Sequence, residues 1–313
     1  MNPVRARLEA GGLAALGLLA RSLGDAGARR LGRLLGALWH RLDRVHRRIA
    51  SENLRLAFPA LAEPRRAAIA RAAFQHFGAV TIDLLRFPSY RASDAASLGE
   101  ISGWHHLEAA HAPGRGVLVA SGHFGNWERV ALLQGFRGRP MDMITRPLDN
   151  PRLESMLARG RTASGNRVIH KRAAVRGMLR SLQARRSVAI VIDQNYREEN
   201  RMFVEFFGVP AATSPILGIV SVRTGAPVVP VFSWPLPDGR YAVEYHPALW
   251  PDAAAERTTE AARLTGAFTA LLEAQIRLRP EVWLWMHRRW RTRPATEAAK
   301  LPAAAAVAVG RSR

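Results

Sequence analysis

Short runs of apolar residues, bounded by glycine, proline and charge, divide this chain into helical and extended stretches. Leu31, Leu34, Leu35, Leu38, Leu42 and Val45 recur at helical spacing, while Arg29, Arg30, Arg33, Arg41 and Arg44 fall largely elsewhere on the wheel. This predicts a basic amphipathic helix. Two placements fit it equally well: leucines against the protein's own core with solvated arginines, or leucines in an anionic membrane surface with guanidinium groups among phosphates. A second amphipathic helix is expected after Pro64, from Ile69, Ala73, Phe77, Val80 and Leu84, ending before Pro88. The earlier apolar run Gly11 to Ala20, flanked by Arg7 and Arg21, supplies about ten residues where a spanning helix needs about twenty. A simple span is therefore not expected, and Glu9, Arg21 and Asp25 argue against a signal peptide.

From Gly116 onward the pattern changes. Extended stretches are predicted at Gly116 to Ala120, Met141 to Thr145, Ser187 to Ile192, Val228 to Ser233 and Tyr241 to Tyr245. Helical stretches separate several of them, at Arg129 to Gly135, Pro151 to Ser164, Ala173 to Ala184 and Pro215 to Thr224. Alternation of this kind predicts an α/β domain with a largely parallel sheet flanked by helices. The expected organisation is a helical region over 1–45, one catalytic domain over 46–293 and an Ala-rich tail over 294–313.

Charge adds a constraint on partners. The net charge of +21 calls for an anionic partner or surface, either nucleic acid or lipid. All the basic side chains except Lys171 and Lys300 are arginine, whose planar fork suits phosphate, although GC-rich coding would produce the same bias. The absence of cysteine removes disulfides, thiolate metal sites and a thiol nucleophile.

The densest chemistry lies in Val119-Ala120-Ser121-Gly122-His123-Phe124-Gly125-Asn126-Trp127-Glu128, at the end of a predicted strand and the start of a helix. In open α/β sheets sites are built there. On one continuous helix His123 and Glu128 would point about 140° apart, so they can cooperate only if the chain turns between them. Gly122 and Gly125 permit that turn, and Asn126 is a plausible N-cap placing Glu128 in the first helical turn. The reading is a base with its orienter: Glu128 takes the proton of one imidazole nitrogen and the other accepts a proton from an attacking hydroxyl. Ser121 lacks the G-x-S-x-G elbow of a serine hydrolase. His105, His106, Glu108 and His111 lack H-E-x-x-H spacing and read as a solvated helix face, so no metal site is expected. The block Trp283 to Trp290 could bind a base or phosphate, form an interfacial belt, or be core.

His123 to Glu128 resembles the H-x4-D/E motif of the lysophospholipid and glycerophosphate acyltransferase superfamily, in the H-F-G-N-W-E form of the lipid A biosynthesis acyltransferases. Further blocks are similar to the same family: Asn53-Leu54 through Phe58-Pro59, Arg146 through Pro151, Asp193-Gln194, Phe206 through Pro210, and Trp285 to Arg289. Separated blocks in the right order are more specific than one short motif.

The resemblance implies a glycerophosphate-acyltransferase-like fold with an N-terminal membrane-associating region, at the cytoplasmic face of the inner membrane. It implies His123 as general base with Glu128 as partner, and Asn126, Arg146, Asp193, Gln194 and Arg172 as substrate-binding positions. Asn126 could equally cap the helix, and Arg172 and Arg197 could simply be solvated. The expected reaction moves a lauroyl or myristoyl chain from acyl carrier protein to a phosphorylated glycolipid, needing neither metal nor cofactor. The rivals are another lipid acceptor, such as a phosphatidylinositol mannoside, an ornithine lipid or a lysophospholipid served from acyl-CoA, and, more remotely, a basic nucleic-acid-binding protein.

Overall fold

The computed structural model describes residues 3–145, 147–170 and 174–294. Helices α1 (Pro3–Ser22), α2 (Gly24–Leu42), α3 (Arg44–Ala57) and α4 (Glu63–Leu84) precede the sheet, and a short α5 (Ala95–Leu98) leads into β1 (Gly99–Ser102). Then α6 (Trp104–His111), β2 (Val117–Ser121), α7 (Trp127–Phe136), β3 (Met141–Thr145), α8 (Pro151–Thr162), β4 (Arg167–His170), α9 (Ala174–Gln183) and β5 (Ser187–Val191) alternate. A hairpin of β6 (Met202–Phe206) and β7 (Val209–Thr213) follows, then α10 (Ile216–Thr224), β8 (Val228–Pro235), β9 (Tyr241–Tyr245) and α11 (Arg257–Leu278).

The main sheet has the order β1-β9-β8-β2-β5-β3-β4, and every neighbouring pair is parallel except β8 with β9. The predicted α/β class and largely parallel sheet are thus what the chain forms. Strand β2 is central and buried along its whole length. Its side chains alternate between two cores: Leu118 and Ala120 pack with Phe232, Phe268 and Leu272 on one face, Val117 and Val119 with Leu133 and Val231 on the other. From β2 the chain runs through α7 to β3, returns through β4 to β5, and reaches β8 on the opposite side of β2 only later. At the carboxyl end of β2 the connections therefore leave in opposite directions, the place where open α/β sheets build their sites.

The amphipathic segment does not form one helix through Val45. Asp43 ends α2 and caps α3, accepting a hydrogen bond from the His46 amide at 2.9 Å. The face of α2 that packs on α4 is not the leucine stripe either. Its buried residues are Ala28, Gly32 and Gly36. A Cβ at Gly36 would lie 2.2 Å from the Phe74 carbonyl oxygen, and one at Gly78 the same distance from that of Gly32, so the two backbones meet where side chains are missing. Leu34, Leu38 and Leu42 point outward at 69%, 50% and 69% exposure, while Leu31 packs against the small core of Ala20, Ala28, Ile82 and Leu85, so the stripe is divided between the two placements. Leu8, Leu18, Leu19 and Leu23 of the preceding segment are exposed as well. Among the described residues, no helix is long and apolar enough to cross a membrane.

Candidate active site

Strand β2 ends at Ser121, and the chain turns through Gly122 and Gly125 before α7 begins. The turn is crowded. A Cβ at Gly122 would press on Leu272 and stand 3.1 Å from an Asp193 oxygen; Gly125 has φ +60°, and a Cβ there would collide with the Ser233 carbonyl. The Gly125 amide donates to the Val282 carbonyl at 2.8 Å, and the Leu284 amide to the His123 carbonyl at 3.1 Å. The loop is therefore fixed from both sides before any side chain is considered.

Asn126 caps α7 as its sequence position predicts, its Oδ1 accepting from the Arg129 amide at 3.0 Å. Its Nδ2 donates to Asp83 at 2.7 Å, its own amide donates to Ser233 Oγ, and the residue is fully buried. The substrate contact expected for Asn126 is thus replaced by capping, because every polar atom of the side chain is already engaged inside the protein. Asp83 also pairs with Arg129 and accepts from the Tyr90 hydroxyl, so the start of α7 rests on a buried ionic cluster.

The expected hydrogen bond between His123 and Glu128 is not formed. The carboxylate holding the imidazole belongs to Asp193, just beyond β5: its Oδ1 lies 2.7 Å from His123 Nδ1, and its Oδ2 accepts from the His123 amide at 2.7 Å and from Trp283 Nε1 at 2.9 Å. The cause is topological. Strands β2 and β5 are parallel neighbours, so the residues following Ser121 and Val191 emerge side by side. Asp193 was expected to touch substrate; its carboxylate is buried and saturated by these donors instead.

Glu128 is turned the other way. Both its oxygens accept from Arg161 in the last turn of α8, at 2.5 to 3.1 Å. Arg161 carries no motif and was not among the expected residues; only its place at the end of a helix that must pack beside α7 could have drawn attention to it.

Electrostatics follow this geometry. Burial alone would raise the Asp193 carboxyl, but the charge of His123 and the hydrogen bonds from His123 and Trp283 bring its pKa down to about 2. Burial likewise works against the His123 imidazolium; the charge and hydrogen bond of Asp193, with a lesser contribution from the Glu128 charge, outweigh it and raise the His123 pKa above its ordinary 6.5. With Asp193 ionised, the neutral ring keeps its proton on Nδ1, and Nε2 is the nitrogen that gains or gives up the second proton. The His123 side chain is 22% exposed, Gln194 stands 3.4 Å from Nε2 in an exposed position, and the Trp127 ring lies edge-on at 4.8 Å. The site is thus a partly exposed, oriented imidazole at the end of the central strand, able to take a proton from a hydroxyl.

The sequence pattern of the bacterial lipid A biosynthesis acyltransferases matches residues 7–292. This chain belongs to that family. The acyltransferase is 28% identical over 266 residues to a lipid A biosynthesis lauroyltransferase of Escherichia coli K12, with 85% of each chain covered. It is 28% identical over 268 residues to the lipid A biosynthesis palmitoleoyltransferase of the same organism, covering 85% of this chain and 86% of the relative. A lipid A biosynthesis acyltransferase of Haemophilus influenzae is 27% identical over 271 residues, covering 85% of both chains.

The remaining expected positions fall into three groups. Arg146 and Arg172 lie outside the described residues, as does the tail beyond 294. Gln194 faces the free side of the imidazole, and Arg197 is exposed. The block Trp283 to Trp290 is core: Trp283, Trp285, Met286, Arg289 and Trp290 are all buried, and Arg289 donates to the Gln194 and Ala212 carbonyls and to Thr213. No group of side chains among the described residues is arranged to hold a metal ion, and Glu108 pairs with Arg139.

Proposed function

We propose that this acyltransferase moves a fatty acyl chain from an acyl carrier protein thioester onto a hydroxyl of a phosphorylated glycolipid of the lipid A pathway. The observation carrying the reading is the His123 ring, held at Nδ1 by ionised Asp193 with Nε2 on the open side. Nε2 removes the proton of the acceptor hydroxyl as its oxygen attacks the thioester carbonyl. The resulting imidazolium is stabilised by Asp193, and returns its proton to the sulfur as the carbon–sulfur bond breaks. The ester forms, the thiol leaves, and His123 is neutral again.

In this reading Glu128 is a positioning residue. It fixes Arg161 at the edge of the site and adds negative charge that favours the imidazolium. The HX4E loop at the carboxyl end of a central parallel strand supports a glycerophosphate-acyltransferase-like fold. The outward leucines of α2, with its arginines on a neighbouring flank, support attachment of the N-terminal region to the anionic cytoplasmic face of the inner membrane.

Replacing His123 by Ala in the full chain tests the chemistry. Transfer, read as the mass added to the acceptor lipid, is expected to fall by about 10²- to 10⁴-fold in a protein that still folds, with some stability lost because the buried Asp193 carboxylate is left without its imidazole. Wild-type turnover in His123→Ala overturns the assignment.

A further inference from the structure

A groove of about 620 Å³ lies between the end of α2, the outer face of α3 and the start of α4. Arg44, Arg47, Arg48, Arg55, Arg66 and Arg71 line it, against only two carboxylates, Glu52 and Glu63. Those two are already paired, with Arg48 at 2.7 Å and Arg66 at 2.9 Å. Arg47 donates to the His40 and Arg41 carbonyls, and Arg44, Arg55 and Arg71 make no ion pair among the described residues. Burial, and after it the charges of Arg47 and Arg71, hold the His40 imidazole below its ordinary value. Cations gathered in a concave wall repel one another until an anion enters, and such a cleft concentrates anionic partners.

Two observations narrow the partner. First, His40 is two positions beyond Leu38, about 200° around α2, so the groove opens on the side away from the exposed leucine stripe. A surface that receives the leucines does not fill the groove, and its ligand arrives from water. Second, the groove is near the imidazole without touching it. The His40 ring meets Phe74 at 5.2 Å; Phe77, one turn along α4, meets Trp127 at 6.1 Å; and Trp127 meets His123 at 4.8 Å. A carrier protein presents its thioester on a flexible arm, so its body must rest at arm's length from the reacting atoms.

We propose that this arginine groove docks an acidic surface of the carrier protein that delivers the acyl thioester. The inference rests on the donor reading given above. Charge complementarity of this kind acts on encounter rate and register more than on the chemical step, so it belongs to KM and not to kcat.

The test compares full-length enzyme with a triple variant, Arg44→Gln, Arg55→Gln and Arg71→Gln. All three positions are exposed and unpaired, so wild-type thermal unfolding is expected. A control triple, Arg167→Gln, Arg176→Gln and Arg180→Gln, removes the same charge from exposed positions on β4 and α9. Direct binding of acyl carrier protein is expected to weaken about tenfold or more in the groove variant, and by no more than about twofold in the control. KM for the carrier-bound donor should rise in parallel, with kcat and the KM for a small acyl-pantetheine thioester unchanged.

Equal losses in the two triples would make the effect one of net charge and overturn the groove. Wild-type carrier affinity in the groove variant overturns it as well, and so does loss of binding to phosphatidylglycerol vesicles with carrier affinity intact, which would mark a lipid site. If wild-type enzyme transfers from acyl-CoA but does not bind the carrier, the donor reading and the groove fall together while the His123 chemistry stands.

Discussion

Two buried carboxylates stand near the same imidazole, and they do opposite things. Glu128 belongs to the motif, five residues from His123, yet both its oxygens face Arg161. Asp193 is seventy residues away in sequence and holds Nδ1 at 2.7 Å. The turn that Gly122 and Gly125 allow brings His123 and Glu128 to one site without aiming them at each other. Parallel pairing of β2 with β5 does the aiming. Motif spacing therefore names the neighbourhood, and strand adjacency names the partner.

The sharpest way to break the comparison is to neutralise each carboxylate separately. Asp193→Asn removes the anion that fixes the tautomer and stabilises the imidazolium, and turnover is expected to fall by about 10²- to 10⁴-fold in steady-state transfer assays. The same variant should show itself in the pH profile. Only neutral His123 accepts a proton, and its pKa is raised, so wild-type activity is lost as pH falls through a value above 6.5. Without Asp193 the imidazolium is disfavoured, and the residual activity should persist to lower pH. An unmoved acid limb would mean that Asp193 does not control the base.

Glu128→Gln should act differently. It leaves the largely buried Arg161 guanidinium without its carboxylate, with an expected loss of about 2–3 kcal/mol by denaturant unfolding, short of the cost for a sealed pair because Arg161 keeps some contact with water. Because Glu128 touches His123 only through its field, the acid limb should move less than in Asp193→Asn. A larger shift in Glu128→Gln would reverse the two roles. At the small end, Gly36→Val forces α2 off α4 and should cost about 1–3 kcal/mol in thermal or denaturant unfolding, with the pH profile unchanged.

Much of this is legible in the sequence. The strands at Met141–Thr145 and Tyr241–Tyr245 have the predicted bounds, and β2, β5 and β8 differ by one or two residues at their ends, because apolar β-rich runs between turn residues have one comfortable conformation. The hairpin of β6 and β7 escaped notice for a local reason. Its turn residues are Phe207 and Gly208, both at positive φ, and phenylalanine stands where asparagine or aspartate ordinarily signals such a turn. Edge strand β4 was missed because Arg167 and His170 leave only Val168 and Ile169 as apolar signal. Helix α11 was not anticipated, although Leu264, Phe268, Leu272 and Ile276 keep helical spacing and are buried. At the site, His123 and the Asn126 cap were readable because both are local. The partners Asp193 and Arg161 were not, since each depends on which distant element arrives beside β2 or α7.

The glycine seam between α2 and α4 leaves one last consequence. Since Gly32, Gly36 and Gly78 let the two backbones touch, α2 is held by its glycine face, and the outward Leu34, Leu38 and Leu42 contribute nothing to that contact. The exposed face and the packing face are thereby written on separate sides of the same rod. The outer stripe can be rewritten residue by residue, in oiliness or in charge, while the architecture beneath it stays as it is.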